Sequence, residues 1–130
     1  MGSLKLNDEL RRFIQTIVSI PHLEAMLLLR QFPEQAWDKE AIAQRLYLSP
    51  EQTATLLGDL SAAGVCKGVT GQSGAFSYAP IFAGLSELID QLAEYYSYNL
   101  IEVTNMIHSR ANASRRAQQF ADAFKFKKDL

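Results

Sequence analysis

Apolar residues recur at helical spacing along most of this chain, and the exceptions fall together in one short window. Over 8–19 (DELRRFIQTIVS) Leu10, Phe13, Ile14, Ile17 and Val18 share one helical face, and Asp8 stands where an N-cap belongs. Pro21 breaks the pattern and suits the first turn of a second helix, PHLEAMLLLRQF. Leu23, Met26, Leu27 and Arg30 follow there at helical spacing, and so many apolar residues imply burial on most sides. Pro33 ends that helix.

Asp38 can cap a third, short helix (KEAIAQRLY) with Ile42, Ala43 and Leu46 inward. The next residues are the most explicit in the chain. Ser49 is an N-cap, Pro50 occupies the first helical position, and Gln52 stands three residues after the cap, which together spell a capping box. The helix that follows (EQTATLLGDLSAA) carries Thr53, Leu57 and Leu60 on one side, and Gly64 stops it as a left-handed residue.

The period then changes. Val65–Thr70 predicts a strand, Gly71-Gln72-Ser73-Gly74 a turn, and Ala75–Ala79 the returning strand of a hairpin that Pro80 closes. From Ser86 to Ser109 helical spacing resumes as one long predicted helix. Leu85, Ile89, Leu92, Tyr96, Asn99, Val103 and Met106 step by four and three like a heptad seam, with Asn99 its single polar member. Leu88, Tyr95, Leu100 and Ile107 add a second strip, so one face can meet the domain and the other a partner subunit. Residues 110–130 also read as helical, with Ala113, Ala117, Phe120 and Phe124 on one face. Three units follow from these patterns: 1–84, the long helix 85–109, and the tail 110–130. The fold class is mainly α with a small β hairpin.

Composition excludes several classes. With 130 residues and an apolar fraction of 48%, the chain can bury a core without a disulfide or a structural metal. Its single cysteine, Cys66, cannot form an internal disulfide and fits a reducing compartment. The N-terminus lacks a signal-like apolar stretch, and the longest apolar run, Ala25–Leu29, is far below the about 20 residues of a membrane span. A soluble, cytoplasmic protein is expected, and the Asn112 sequon reads as chance. Charge is uneven along the chain. Residues 1–104 hold 7 Lys/Arg against 12 Asp/Glu, a balance of −5, while 105–130 hold 6 against 2, a balance of +4. A basic tail on an acidic body points to an anionic surface for the tail to meet: nucleic acid, an acidic protein, or the chain's own body.

The stretch IAQRLYLSPEQTATLLGDLSAAGVCKG resembles the core of bacterial winged helix-turn-helix transcriptional regulators of the MarR-like kind. Ala43, Leu46, Leu48, Ser49, Pro50, Leu57, Leu60, Ala63, Gly64 and Val65 carry the likeness, which covers roughly residues 20–80. It implies a winged-helix domain, a long C-terminal dimerisation helix, and regulation of transcription by a homodimer. In helix-turn-helix proteins the second helix of the motif enters the DNA major groove, which here is Pro50–Ala63.

That helix is poorly equipped for the task. Its expected outward residues are Glu51, Gln52, Ala54, Thr55, Leu56, Gly58 and Asp59. Members of the resembled group carry basic or polar residues where this chain has Leu56, Gly58 and Asp59. Base edges are read by long polar side chains and phosphates are held by cations. The candidates for double-stranded DNA are therefore Gln52 and Thr55 as base readers, Lys39, Arg45, Lys67 and Gln72 around them, and the tail cations Arg115 and Arg116, with Arg110, Lys125, Lys127 and Lys128 in support. The candidate dimer interface is the seam Leu85, Ile89, Leu92, Tyr96, Asn99, Val103 and Met106.

The alternative is a winged-helix adaptor that binds protein and not DNA, using Leu56 beside Gly58 as an apolar surface. Its tail would dock a protein partner through Phe120, Phe124 and Phe126 interleaved with Lys125, Lys127 and Lys128. No enzyme is expected. His22 and His108 lack ligand-like spacing, so no metal or cofactor is expected. Cys66 reads as a small core residue. GVTGQSG lacks the lysine of a phosphate loop, and no Ser-His-Asp order stands out. Glu87, Asp90 and Glu94 read as a solvated helix edge. Tyr95, Tyr96 and Tyr98 read as an aromatic cluster that packs in the core or between subunits, or else lines a ligand pocket.

Overall fold

The computed structural model describes residues 6–109. They form α1 (Asp8–Thr16), α2 (Ile20–Gln31), α3 (Lys39–Leu46), α4 (Pro50–Ala62), β1 (Cys66–Gly68), β2 (Phe76–Tyr78) and α5 (Ala83–Tyr98). A last helix, α6, occupies 100–109 up to the edge of the described residues. The protein is mainly helical with one small antiparallel hairpin.

Local chemistry sets most of the boundaries. Asn7, not Asp8, caps α1: its side chain accepts from the Leu10 N–H at 2.7 Å. The helix ends at Thr16, which leaves Val18 64% exposed instead of on the buried face. Ser19 caps α2 with Pro21 in its first turn, and α2 turns 112° away from α1. The capping box of α4 is complete. Ser49 Oγ accepts from the Gln52 N–H at 3.1 Å, and Gln52 Oε1 accepts from the Ser49 N–H at 3.2 Å. At the far end Gly64 adopts φ +85°, with the Val65 N–H donating to Leu60 and the Gly64 N–H to Ser61. These two bonds form a Schellman cap. A side chain at Gly64 would meet Ile81 Cδ1 at 2.6 Å, but Ile81 is exposed and can turn away, so it is the left-handed conformation that calls for glycine.

The hairpin pairs Cys66 with Tyr78, Lys67 with Ser77 and Gly68 with Phe76. It is shorter at each end than the sequence pattern predicts. Trp37 adds a third backbone segment: its N–H donates to Phe76 O at 2.7 Å, and its carbonyl accepts from the Phe76 N–H at 2.8 Å. The indole is 1% exposed and joins the core.

Leu10, Ile14, Leu23, Leu29, Leu57, Ile89, Leu92, Val103 and Ile107 belong to one contiguous core. It crosses the expected boundary at 84, so α5 and α6 fold onto the helices before them. The single long helix expected over 86–109 is interrupted. Asn99 (φ −135°, ψ 46°) ends α5, and its carbonyl accepts from the Val103 N–H of α6 at 3.0 Å. No helix among the described residues is long and apolar enough to cross a membrane.

Candidate nucleic-acid interface

α3 and α4 are joined by the three residues Tyr47, Leu48 and Ser49. Tyr47 takes the left-handed conformation (φ 57°, ψ 48°) that lets the chain reverse so quickly. The turn holds α4 across α3 with Ile42, Leu57 and Leu60 buried beneath it. Of the expected outward residues of α4, Glu51, Gln52, Ala54, Thr55, Gly58 and Asp59 are exposed. Leu56 is not: it is 3% exposed and packs in the core. The apolar docking surface of Leu56 beside Gly58 is therefore absent. α4 packs against both α2 and α3, so more than one row of its positions is buried: Leu56 borders a depression with Pro21 and His22 of α2, and Leu57 one with Lys39 and Glu40 of α3.

Gln52 and Thr55 lie one turn apart on the exposed face. Their polar groups are partly engaged within their own helix. Gln52 Oε1 accepts from both Ser49 N–H and Ser49 Oγ, each at 3.2 Å, and Thr55 Oγ1 donates to Glu51 O at 3.3 Å. The Gln52 amide nitrogen remains to donate. Adenine is read by a bidentate carboxamide, and an oxygen held in a capping box is not available for that.

Lys39 lies at the rim of a depression of about 310 Å³ that it shares with Ala54 of α4 and with Ser73 and Gly74 at the hairpin tip. Lys67 and Gln72 are exposed on the hairpin. Arg45 is exposed, with its guanidinium 5.6 Å from the Phe32 ring centroid and 5.7 Å from that of Trp37. This stacking orients its charge and covers the core edge. Arg115 and Arg116, with the rest of the expected basic tail, lie outside the described residues.

Asp59, which stands where the resembled group carries basic or polar residues, has a partner. His22 Nε2 donates to Asp59 Oδ2 at 2.9 Å, and His22 Nδ1 accepts from Ser19 Oγ at 2.6 Å. The imidazole is 16% exposed and the carboxylate 51%. Likewise Asp90, expected on a solvated edge with Glu87 and Glu94, accepts from Arg30 Nε at 2.8 Å and ties α5 to α2.

The expected dimer seam is mostly inside the chain's own core. Leu85, Ile89, Leu92 and Val103 are buried, Tyr96 and Met106 are partly buried, and Asn99 forms the joint between helices. The tyrosines do not form one cluster. Tyr95 is buried with its hydroxyl donating to Glu102 at 2.5 Å, Tyr96 is half-buried, and Tyr98 is 79% exposed. Cys66 is buried, and burial pushes its thiol up to about 11. Among the described residues no group of three or more His, Cys, Asp or Glu could hold a metal ion.

Trp37 and the Ser19–His22–Asp59 chain escaped sequence reasoning. Trp37 sits in a non-periodic stretch, where no pattern signals a single bridging residue. Ser19 three residues before His22 is legible as an N-cap pair, but the link to Asp59 spans 37 residues. No family model, curated protein or solved structure matches this chain.

Proposed function

We propose that the chain carries a winged helix-turn-helix module that binds double-stranded DNA mainly through phosphates, without catalysis and with little base readout. The observation that carries this is α4. Its outward face is exposed after a three-residue turn, beside a depression lined by Asp38, Lys39 and Glu40 and by the hairpin tip. A helix so presented, followed by a two-stranded flap, fits the geometry by which such modules enter a major groove. The weak readout follows from Gln52 and Thr55, whose oxygens are engaged within the helix.

Binding of this kind depends steeply on salt. Lys39, Arg45 and Lys67 give three phosphate partners, and Arg115 and Arg116 bring the number to five. The slope of log K against log salt is then between about −2.7 and −4.5. Fluorescence anisotropy of labelled duplexes of unrelated sequence tests both points. Similar affinities and a slope in that range support the proposal. No binding at micromolar protein and low salt overturns it.

The alternative is a protein-binding adaptor without affinity for DNA. The balance of −5 over 1–104 favours it, because an acidic body repels a duplex. With Leu56 buried, its surface would lie at the α5–α6 joint, where Tyr98, Leu100 and Ile101 are exposed. A second copy of the chain would meet the same residues.

A further inference from the structure

We propose that the cleft between the α1–α2 turn and the C-terminal half of α4 is a binding site for a small apolar amine. The cleft has a volume of about 210 Å³. An apolar cavity of about 150 Å³ holds a benzene ring, so one ring and a short chain fit here. Its walls are apolar: Phe13 of α1, Met26 of α2, Leu60 of α4, Val65 before the hairpin, and Leu85 of α5. Four separate helices contribute to them, so side-chain adjustment within one helix cannot fill the space. Well-packed interiors leave few such voids.

The chemistry at the mouth selects the ligand's head group. Among the described residues Asp59 is the one carboxylate in the lining, and no lysine or arginine accompanies it. The chain from Ser19 Oγ–H to His22 Nδ1, and from His22 Nε2–H to Asp59 Oδ2, fixes the imidazole as a donor and holds the carboxylate over the cleft. Among the described residues Oδ1 of Asp59 accepts no hydrogen bond, and it is free to take an ammonium. A carboxylate head would face Asp59 directly and be repelled. The ligand class is thus a compact aryl or alkyl body with one terminal ammonium. This site is independent of whether α4 binds DNA.

Three isosteric probes test it: phenethylamine, 2-phenylethanol and phenylacetate, each titrated to millimolar concentration while backbone amide shifts are followed in the full chain. Phenethylamine should shift amides of Ile17, Leu60 and Val65, with 2-phenylethanol weaker and phenylacetate weakest. Asp59→Asn should weaken phenethylamine about three- to tenfold, the range of an exposed to a partly shielded charge contact, and leave 2-phenylethanol unchanged. Ala63→Leu places a larger side chain across the mouth from the exposed C-cap of α4 and should abolish binding of all three, with folding verified by urea melts. The proposal is overturned if phenethylamine shifts none of these amides, if phenylacetate binds as tightly as the amine, or if folded Ala63→Leu binds the amine undiminished.

Discussion

Asn99 folds its side chain back onto Tyr95: the Tyr95 carbonyl accepts from both the backbone N–H of Asn99 at 2.9 Å and its Nδ2 at 3.1 Å. One residue thereby closes α5 and opens α6. The same asparagine has two possible meanings in an apolar seam. In a paired coiled coil a lone asparagine fixes register at a cost in stability. Here it satisfies the Tyr95 carbonyl at a helix end, and α6 carries Val103 and Ile107 into the same core as Leu10 and Ile14.

Replacing Asn99 by Leu separates those meanings. In a coiled-coil seam the change stabilises and raises the oligomer mass. At the observed joint it removes one side-chain hydrogen bond and should destabilise by about 1 kcal/mol. Urea denaturation at two protein concentrations, with sedimentation of the native state, reads both quantities.

Ile89→Ala tests where the seam residues are buried. Ile89 is 0% exposed within one chain. Truncating a buried isoleucine to alanine costs about 2–5 kcal/mol, the transfer term plus the cavity. The loss should be the same at low and high protein concentration. A loss that grows on dilution would place Ile89 between subunits instead.

Tyr47 holds a strained backbone without compensating burial, being 94% exposed at φ 57°. The left-handed region costs an ordinary residue about 1–2 kcal/mol, and asparagine bears it better than most. Tyr47→Asn should therefore stabilise the fold by roughly 0.5–1 kcal/mol, seen as a higher urea midpoint with unchanged slope. A destabilised variant would mean that the tyrosine ring makes a contact its exposure does not show.

Much of the architecture was readable because it is local. Ser49, Pro50, Gln52 and Gly64 fix both ends of α4 by hydrogen bonds reaching no more than five residues. The hairpin follows from Gly71 and Gly74, which both adopt positive φ. Long-range pairing was not readable. Leu56 looks like a surface residue on a one-sided helical wheel, and only the position of α2 buries it. Asn99 fits a heptad perfectly well, and nothing in the spacing distinguishes a register-setting asparagine from a cap. The candidate interface was legible as a list of exposed cations and amides on the α3–α4 segment and hairpin. The engagement of Gln52 Oε1 and the His22–Asp59 contact were not, since each depends on rotamers and on where α2 lies.

Asp59→Asn tests the charge of the α4 surface. An asparagine oxygen can still accept from His22 Nε2, so stability should change by less than about 1 kcal/mol. One negative charge leaves the face that Gln52 and Thr55 share. Affinity for any duplex should rise about two- to threefold at low salt, and the gain should vanish at high salt as screening sets in. An unchanged affinity at low salt would place the duplex away from α4.

Stability should fall on the alkaline side. Burial raises the Cys66 thiol from 9.0 to about 11. The Tyr95 hydroxyl is raised above its ordinary 10.0, first by its hydrogen bond to Glu102 and then by burial. Both groups are neutral in the fold where the unfolded chain has begun to ionise, so between the two pKa values the native state binds more protons. By linkage their contribution is fully present below about pH 9 and is lost as pH rises, through about 11 for Cys66 and above about 10 for Tyr95. Thermal melts across that window should show a falling midpoint. Cys66→Ala should be less stable at about pH 7, by roughly 1 kcal/mol for the small void, and should show a shallower alkaline decline. In the native wild type a thiol reagent at about pH 8 should react slowly, because so little thiolate forms in the buried strand. Rapid labelling without unfolding would show that β1 opens on its own and that Cys66 ionises without global unfolding.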